Sequence, residues 1–330
     1  MFKERDMDNF ALLFPGQGAQ VPGMGRDFAD ADPEIMDLWK QAEKISGLPL
    51  RELYWDSDDA AMIDTRNLQP GLTVANLSIW LFLSRHIKPA AAAGHSLGEY
   101  SALAASGALS FKDVLHAVTV RGGLMAAADP SGNGAMAAVL KLPLDAVLEA
   151  ACKAQDQTQE LVIVANRNTP AQFVLSGAKN AVAQAAELAK QAGGKVIPLA
   201  VSGAFHSPLM AEAAKEMRRV LQGLDWRHPT FPIYCNVNGR AVSDRLALQD
   251  IMQEQITSPV LWIDTIEQMR QDGLNSWLEL GPKAVVGKMA PAILEAWHKR
   301  NAKSPDQAAP APQIIAVTNL AQAQEFIVNN

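Results

Sequence analysis

Gly94-His95-Ser96-Leu97-Gly98 stands where a run of small residues, Ala90 to Ala93, gives way to an amphipathic stretch. The spacing is G-x-S-x-G, the pattern of a serine held on a sharp strand-to-helix turn. Its glycines let the backbone make that turn and let another segment approach closely. Pro89 before and Gly94 after leave Ala90–Ala93 room only for a strand, and small side chains suit a strand covered on both faces. Leu97 to Ser106 then reads as a helix with Gly107 as its C-cap. The free N–H groups at the start of that helix, and the positive end of its dipole, point toward the serine. An oxyanion formed on a carbonyl would be stabilised there.

Outward from the elbow, Asn9 to Phe14 reads as a short buried strand, ended by Pro15-Gly16-Gln17-Gly18. Helical patterns fill much of 27–86. Ser110, with Asp113 three residues on, opens a helix that runs to about Ala127. From residue 130 the rhythm changes. Strands at Gly134–Leu140, Leu161–Ala165, Gln172–Ser176 and Lys195–Leu199 alternate with helices at Leu144–Ala154 and Asn180–Ala192. That order is β-α-β-β-α-β, ferredoxin-like, and its short connections suggest a compact insert at 130–198. Residues 1–129 and 199–330 would form one discontinuous large domain. Phe231–Asn236, Ser276–Leu280 and Ile314–Val317 read as further strands, and Ala321–Ile327 as a short docking helix. Ala302–Gln313, rich in Ala, Pro and Gln, reads as an exposed linker.

The 330 residues are 48% hydrophobic and 19% charged, enough for a substantial core. The net charge is −6 with both signs spread along the chain, so no basic stripe points to nucleic acid. Cys152 and Cys235 match no metal spacing and no disulfide framework, and read as two buried thiols in a reducing compartment. Met1–Asn9 is charged and unlike a signal peptide, and Leu72–Leu83 is too short to span a bilayer. These features predict a soluble cytoplasmic protein, and nothing in them demands more than a monomer.

A serine nucleophile needs a base. Of six histidines, His95 adjoins the serine and points elsewhere, while His86, His116, His228 and His298 lack a supporting pattern. His206 follows the last strand of the insert, where the chain re-enters the large domain, and is either the base or structural. Arg121 falls on the apolar stripe Val114, Val118, Met125 of its helix. A buried guanidinium needs an anion, either an internal carboxylate or the carboxylate of a substrate. Asn166 and Asn168 are turn residues or polar groups facing a cleft. Gly16-Gln17-Gly18 is a plain turn or a donor of a backbone N–H, and Glu99 a surface charge or a cap. No metal or phosphate-loop motif is present.

Phe14-Pro15-Gly16-Gln17-Gly18-Ala19-Gln20, Gly94-His95-Ser96-Leu97-Gly98-Glu99, Arg121, Asn166 and Asn168, Gly203-Ala204-Phe205-His206-Ser207 and Glu279-Leu280-Gly281-Pro282 together resemble the malonyl-CoA:acyl carrier protein transacylases, from about residue 10 to residue 290. The resemblance implies an α/β fold, a hydrolase-like parallel-sheet domain with an inserted ferredoxin-like α+β subdomain. It implies Ser96 as the acylated nucleophile, His206 as its base, the Gln17 and Leu97 N–H groups as oxyanion hole, and Arg121 as the clamp on the malonate carboxylate. Asn166 and Asn168 would line the substrate site. Gln255 would orient His206 through its backbone carbonyl, giving a dyad. Malonyl-CoA and acyl carrier protein would be the substrates, with no cofactor. Carrier proteins are acidic, and Lys195, Lys283 and Lys288 are candidates for a local basic patch. The glycine within Gln69–Ala75 departs from the family, which often has a larger residue near the pocket. The rival readings are a serine thioesterase or hydrolase, with Asp129 or Asp145 as its acid, and the malonyltransferase subunit of a malonate decarboxylase.

Overall fold

The computed structural model describes residues 10–56, 62–129, 131–201, 203–301 and 312–329. Met1–Asn9 and most of the Ala302–Gln313 linker lie outside these residues. The described residues build two sheets. The larger has six strands in the order β10-β9-β1-β2-β7-β8. These are β1 (Phe10–Phe14), β2 (Ala91–Gly94), β7 (Ile233–Tyr234), β8 (Ala241–Val242), β9 (Ser276–Leu280) and β10 (Gln313–Val317). All neighbours run parallel except β7 and β8.

Strand β1 is apolar at every position because both of its faces are covered. Phe10, Leu12 and Phe14 enter one core with Ala92 of β2, while Ala11 and Leu13 enter the opposite one with Ala91 and Ala93. The first core is centred on the helix Thr65–Leu83, which is buried around most of its circumference. Within that helix a Cβ at Gly71 would lie 2.2 Å from the Tyr54 ring. The family departure noted at this glycine therefore serves the seating of Tyr54, and it is Gln69, two residues earlier, that reaches the cavity.

The smaller sheet comprises β3 (Gly134–Leu140), β4 (Val162–Thr169), β5 (Gln172–Ala178) and β6 (Lys195–Pro198), in the order β4-β5-β3-β6 with every neighbour antiparallel. This is the expected ferredoxin-like arrangement. Helices Leu144–Thr158 and Lys179–Gln191 pack on one face around Val139, Val164, Phe173 and Leu175. Met136, Ala138 and Val174 leave the other face toward Met125 and Phe205. That face looks back at the carboxyl ends of β1 and β2.

Three readings are corrected. Cys152 is exposed, while Cys235 is buried. The inward stripe of its helix is Val147, Ala150, Ala151 and Ala154, and Cys152 sits roughly 200° around from Ala150. Strand β4 runs to Thr169, so Asn166 and Asn168 lie within it rather than beyond its end. The extension is held by a second partner, because Val260 N–H donates to Ala165 O at 2.8 Å and Arg167 N–H to Val260 O at 3.0 Å. Strand β7 is shorter than Phe231–Asn236, since Cys235 turns away to pair its backbone with Gly239 and Arg240. Among the described residues no helix is long and apolar enough to cross a membrane.

A Cβ at Gly98 would sit 2.1 Å from Phe14 O, whereas Gly107, at φ 73°, has open space around it. Gly98→Ala should therefore cost about 3 kcal/mol or more through a backbone clash. Gly107→Ala should cost only about 1 kcal/mol of left-handed strain. Urea unfolding of both variants checks this, and equal losses would refute the close approach of β1 to the elbow.

Candidate active site

Ser96 lies two residues past the end of β2 and sits at φ 51°, a conformation that costs a non-glycine residue of order 1 kcal/mol. Its neighbours hold it there. The Ser96 N–H donates to Asn236 Oδ1 at 2.7 Å, and Ser96 O accepts from Gln255 Nε2 at 2.8 Å. Asn236 Nδ2 in turn donates to Gly94 O at 2.7 Å. Hydrogen bonds from Gly98 N–H to His95 O and from Glu99 N–H to Ser96 O start the helix Gly98–Ala105 immediately behind the serine. Gly94 and Gly98 are required because a Cβ at Gly94 would lie 2.0 Å from the Gly98 carbonyl carbon.

His206 is carried on the segment that leaves β6 and re-enters the larger core. It too has a positive φ, 58°. Ser176 Oγ anchors the preceding residue by donating to Phe205 O at 2.7 Å. His206 Nε2 lies 2.7 Å from Ser96 Oγ. Its Nδ1 lies 3.1 Å from Gln255 O and 3.1 Å from Ser258 O. Both oxygens accept only, so Nδ1 carries the proton and the Nε2 lone pair faces the serine hydroxyl. Burial, and after it the charge of Arg121, pushes the imidazole down to about 3, so it is neutral at physiological pH. The expected contact with the Gln255 carbonyl is present, and Ser258 is a second acceptor that the sequence did not indicate. Asp129, the acid considered for a hydrolase, instead accepts from Asn133 N–H and Gly134 N–H. Asp145 sits in the first turn of the helix Leu144–Thr158.

Arg121 is 1% exposed. Its Nη1 donates to Gln69 Oε1 at 2.9 Å, and its Nη2 to Gln255 Oε1 at 3.1 Å and Ser96 Oγ at 3.2 Å. Nε has no partner, and among the described residues no carboxylate comes within ion-pair distance of the guanidinium. The internal salt bridge held open by the sequence is therefore absent. A buried cation held by two neutral amides beside a serine hydroxyl is a site for an incoming anion.

A cavity of about 420 Å³ joins these groups, between the carboxyl ends of β1 and β2 and the free face of the smaller sheet. Gln17 and Leu97 line it, and among the described residues the N–H of neither is taken by a hydrogen bond. The two loops touch, since a Cβ at Gly16 would lie 2.4 Å from His95 O. Asn166 and Asn168 line the cavity from β4. Asn168 Oδ1 lies 2.8 Å from His95 Nε2 and turns that ring away from Ser96. Glu99 is neither a surface charge nor a cap. It is fully buried and accepts from Asn236 N–H at 2.9 Å and Gln255 Nε2 at 2.9 Å, and burial pushes it up to about 7. Glu279 accepts from the N–H groups of Val285, Val286 and Gly287, and so shapes the loop that brings Val285 and Val286 to the cavity wall.

Sequence reasoning missed Asn236, Gln69, Ser258 and the side chain of Gln255. Asn236 left one trace, its place just past a strand at the carboxyl edge of the sheet, where sites collect. Gln69 left another, an amide at the start of a long apolar helix. Lys195, Lys283 and Lys288 are exposed.

An imidazole depressed from 6.5 to about 3 binds fewer protons folded than unfolded between those values. Its contribution to stability is present above pH 6.5 and declines as pH falls through that window. Nitrogen NMR of labelled protein should find His206 still neutral at about pH 5 with the proton on Nδ1. Protonation near pH 6.5 would contradict the buried geometry.

The sequence profile of the acyl transferase domain family matches residues 11–318. The malonyl CoA-acyl carrier protein transacylase of Haemophilus influenzae is 39% identical over 292 residues, covering 87% of this chain and 93% of the relative. That of Bacillus subtilis is 37% identical over 289 residues, covering 87% and 91%. Among solved structures, an acyl carrier protein S-malonyltransferase from Vibrio cholerae superposes with a TM-score of 0.87 at 34% identity, covering 96% of this chain and 99% of that one. A malonyl-transacylase in complex with a type II PKS acyl-carrier protein superposes with a TM-score of 0.88 at 32% identity, covering 98% and 100%. Likeness of this extent, in sequence and in backbone, does not arise by chance: the chain belongs to the acyl transferase domain family, among the malonyl CoA-acyl carrier protein transacylases.

Proposed function

We propose that this protein transfers a malonyl group from coenzyme A to the phosphopantetheine thiol of acyl carrier protein, through an acyl-enzyme on Ser96. The observation that carries this reading is Arg121, a buried guanidinium with no carboxylate partner among the described residues, 3.2 Å from the serine hydroxyl. Its planar fork suits the free carboxylate of a malonyl group and has nothing to offer a neutral acyl chain.

The reaction would run in two halves. Ser96 Oγ gives its proton to His206 Nε2 and bonds to the thioester carbonyl carbon. The carbonyl electrons move onto oxygen, which the N–H groups of Gln17 and Leu97 stabilise. One such donor is worth about 3–4 kcal/mol. The oxyanion collapses, the carbon–sulfur bond breaks, and the coenzyme A thiolate leaves with the proton from His206. The carrier-protein thiol then enters, gives its proton to His206, and displaces Ser96 from the malonyl carbon by the same path. Burial, and after it the uncompensated charge of Arg121, make His206 a weak base in the absence of substrate. A carboxylate on Arg121 cancels part of that charge and raises the basicity of the imidazole as substrate binds.

In this reading Asn168 fixes His95, Asn166 lines the substrate site, and Gln255 and Ser258 orient His206. The coenzyme A thioester is a substrate and no cofactor takes part. The enzyme works as a monomer in the cytoplasm, supplying fatty-acid or polyketide synthesis, and Lys195, Lys283 and Lys288 are candidate contacts for an acidic carrier protein. The hydrolase alternative is not favoured, because His206 Nδ1 meets two backbone carbonyls rather than an acid.

Intact-protein mass after brief mixing with malonyl-CoA should reveal one malonyl adduct that carrier protein discharges, and Ser96→Ala should take up none. An adduct retained in Ser96→Ala would refute the nucleophile. Arg121→Ala should slow malonyl uptake about a hundredfold while slowing acetyl uptake less than about tenfold. Equal losses would make Arg121 purely structural.

A further inference from the structure

At the cavity wall and behind it, three buried side chains form a series, of which the transfer steps use Arg121 but neither Glu99 nor the side chain of Gln255. Glu99 comes from the helix Gly98–Ala105, Arg121 from the helix Phe111–Ala127, and Gln255 from the C-terminal end of the helix Arg245–Glu254. Gln255 Nε2 donates to Glu99 Oε2 at 2.9 Å, and Gln255 Oε1 accepts from Arg121 Nη2 at 3.1 Å. A single amide thus separates a carboxylate from a guanidinium, with each end of its dipole toward the charge it suits. The second anchor of Arg121, Gln69, is also a neutral amide. Opposite charges buried together attract strongly, and a guanidinium already paired with a fixed carboxylate holds an incoming one poorly.

We propose that the Gln255 side chain is a selectivity-determining spacer, which ties Glu99 to Arg121 by hydrogen bonds while keeping the two charges out of contact, so that Arg121 retains its charge for the free carboxylate of the substrate. This is a positioning role exerted through Arg121, separate from that of the Gln255 backbone carbonyl, and it rests on the malonyl-transfer reading. Glutamate has the shape of glutamine but would place a carboxylate directly against Arg121.

The test is Gln255→Glu in the full chain, read as single-turnover acylation by malonyl-CoA and by acetyl-CoA across about pH 5 to 8. The malonyl-to-acetyl rate ratio should fall about tenfold to a hundredfold at the alkaline end. It should recover as pH drops, because the introduced carboxyl group is neutral once protonated and again offers a donor to Glu99 and a carbonyl to Arg121. The groups around this position are Glu99, Tyr100, Arg121, His95, His206 and Cys235. Glu99 lies directly against this position and would titrate with the new carboxyl group as a pair, so the profile is also read in a variant that carries a single carboxyl group there. The exchange Glu99→Gln with Gln255→Glu keeps one amide and one carboxylate but moves the charge next to Arg121. It should lose selectivity in the same way and serves if the single variant does not fold. A ratio that is unchanged, or reduced equally at every pH, overturns the spacer while malonyl transfer by the wild type stands. A wild type that takes up no malonyl group overturns the functional reading and this inference with it.

Discussion

The helix Gly98–Ala105 meets the ends of β1 and β2 backbone to backbone, with no side chain between them at Gly94 and Gly98. This close approach forces Ser96 into a left-handed conformation and lifts its hydroxyl out of the sheet. It also brings the Gly16-Gln17 loop against Leu97, so two unused N–H groups face the cavity beside the serine. The strain is offset locally, since Asn236 and Gln255 bind the N–H and the carbonyl of Ser96, and the Glu99 carboxylate binds both of those residues in turn. The geometry of Ser96 and the seating of His206 therefore share one buried anchor.

Charge is arranged as deliberately as shape. The site buries a guanidinium and surrounds it with amides, an aromatic ring and a neutral imidazole. Such a cation is costly to bury with neutral partners alone, which is why the proposed function gives it a substrate carboxylate. Burial first and this charge second keep His206 unprotonated, so Arg121 and His206 are electrostatically coupled.

The two sheets divide the work. The parallel sheet supplies the elbow, and the antiparallel one closes the cavity with its free face and delivers Asn166 and Asn168 from β4. The bond pair between β4 and Val260 fastens the smaller sheet beside the carbonyls that orient His206. The two sheets meet at the cavity that Ser96, His206 and Arg121 line.

The elbow, the ferredoxin-like order and the inward placement of Arg121 were legible in the residues themselves. Each depends on local rules, namely the turn that two glycines permit, period-two and helical alternation, and the position of a side chain on one stripe of a helix. The strand bounds at Gly134–Leu140 and Ser276–Leu280 could be read because glycine and polar residues flank short apolar runs. The cysteine at 152 misled because it was read by residue type, whereas the stripe Val147, Ala150, Ala151 and Ala154 of its helix turns position 152 outward. Tertiary packing alone decided which distant groups meet: Asn236 and the Gln255 side chain at Ser96, Gln69 at Arg121, and Glu99 behind all of them. These contacts join segments that the chain order separates by up to about 160 residues, and no local pattern encodes them, because burial lets a polar side chain take whatever partner the packed fold presents.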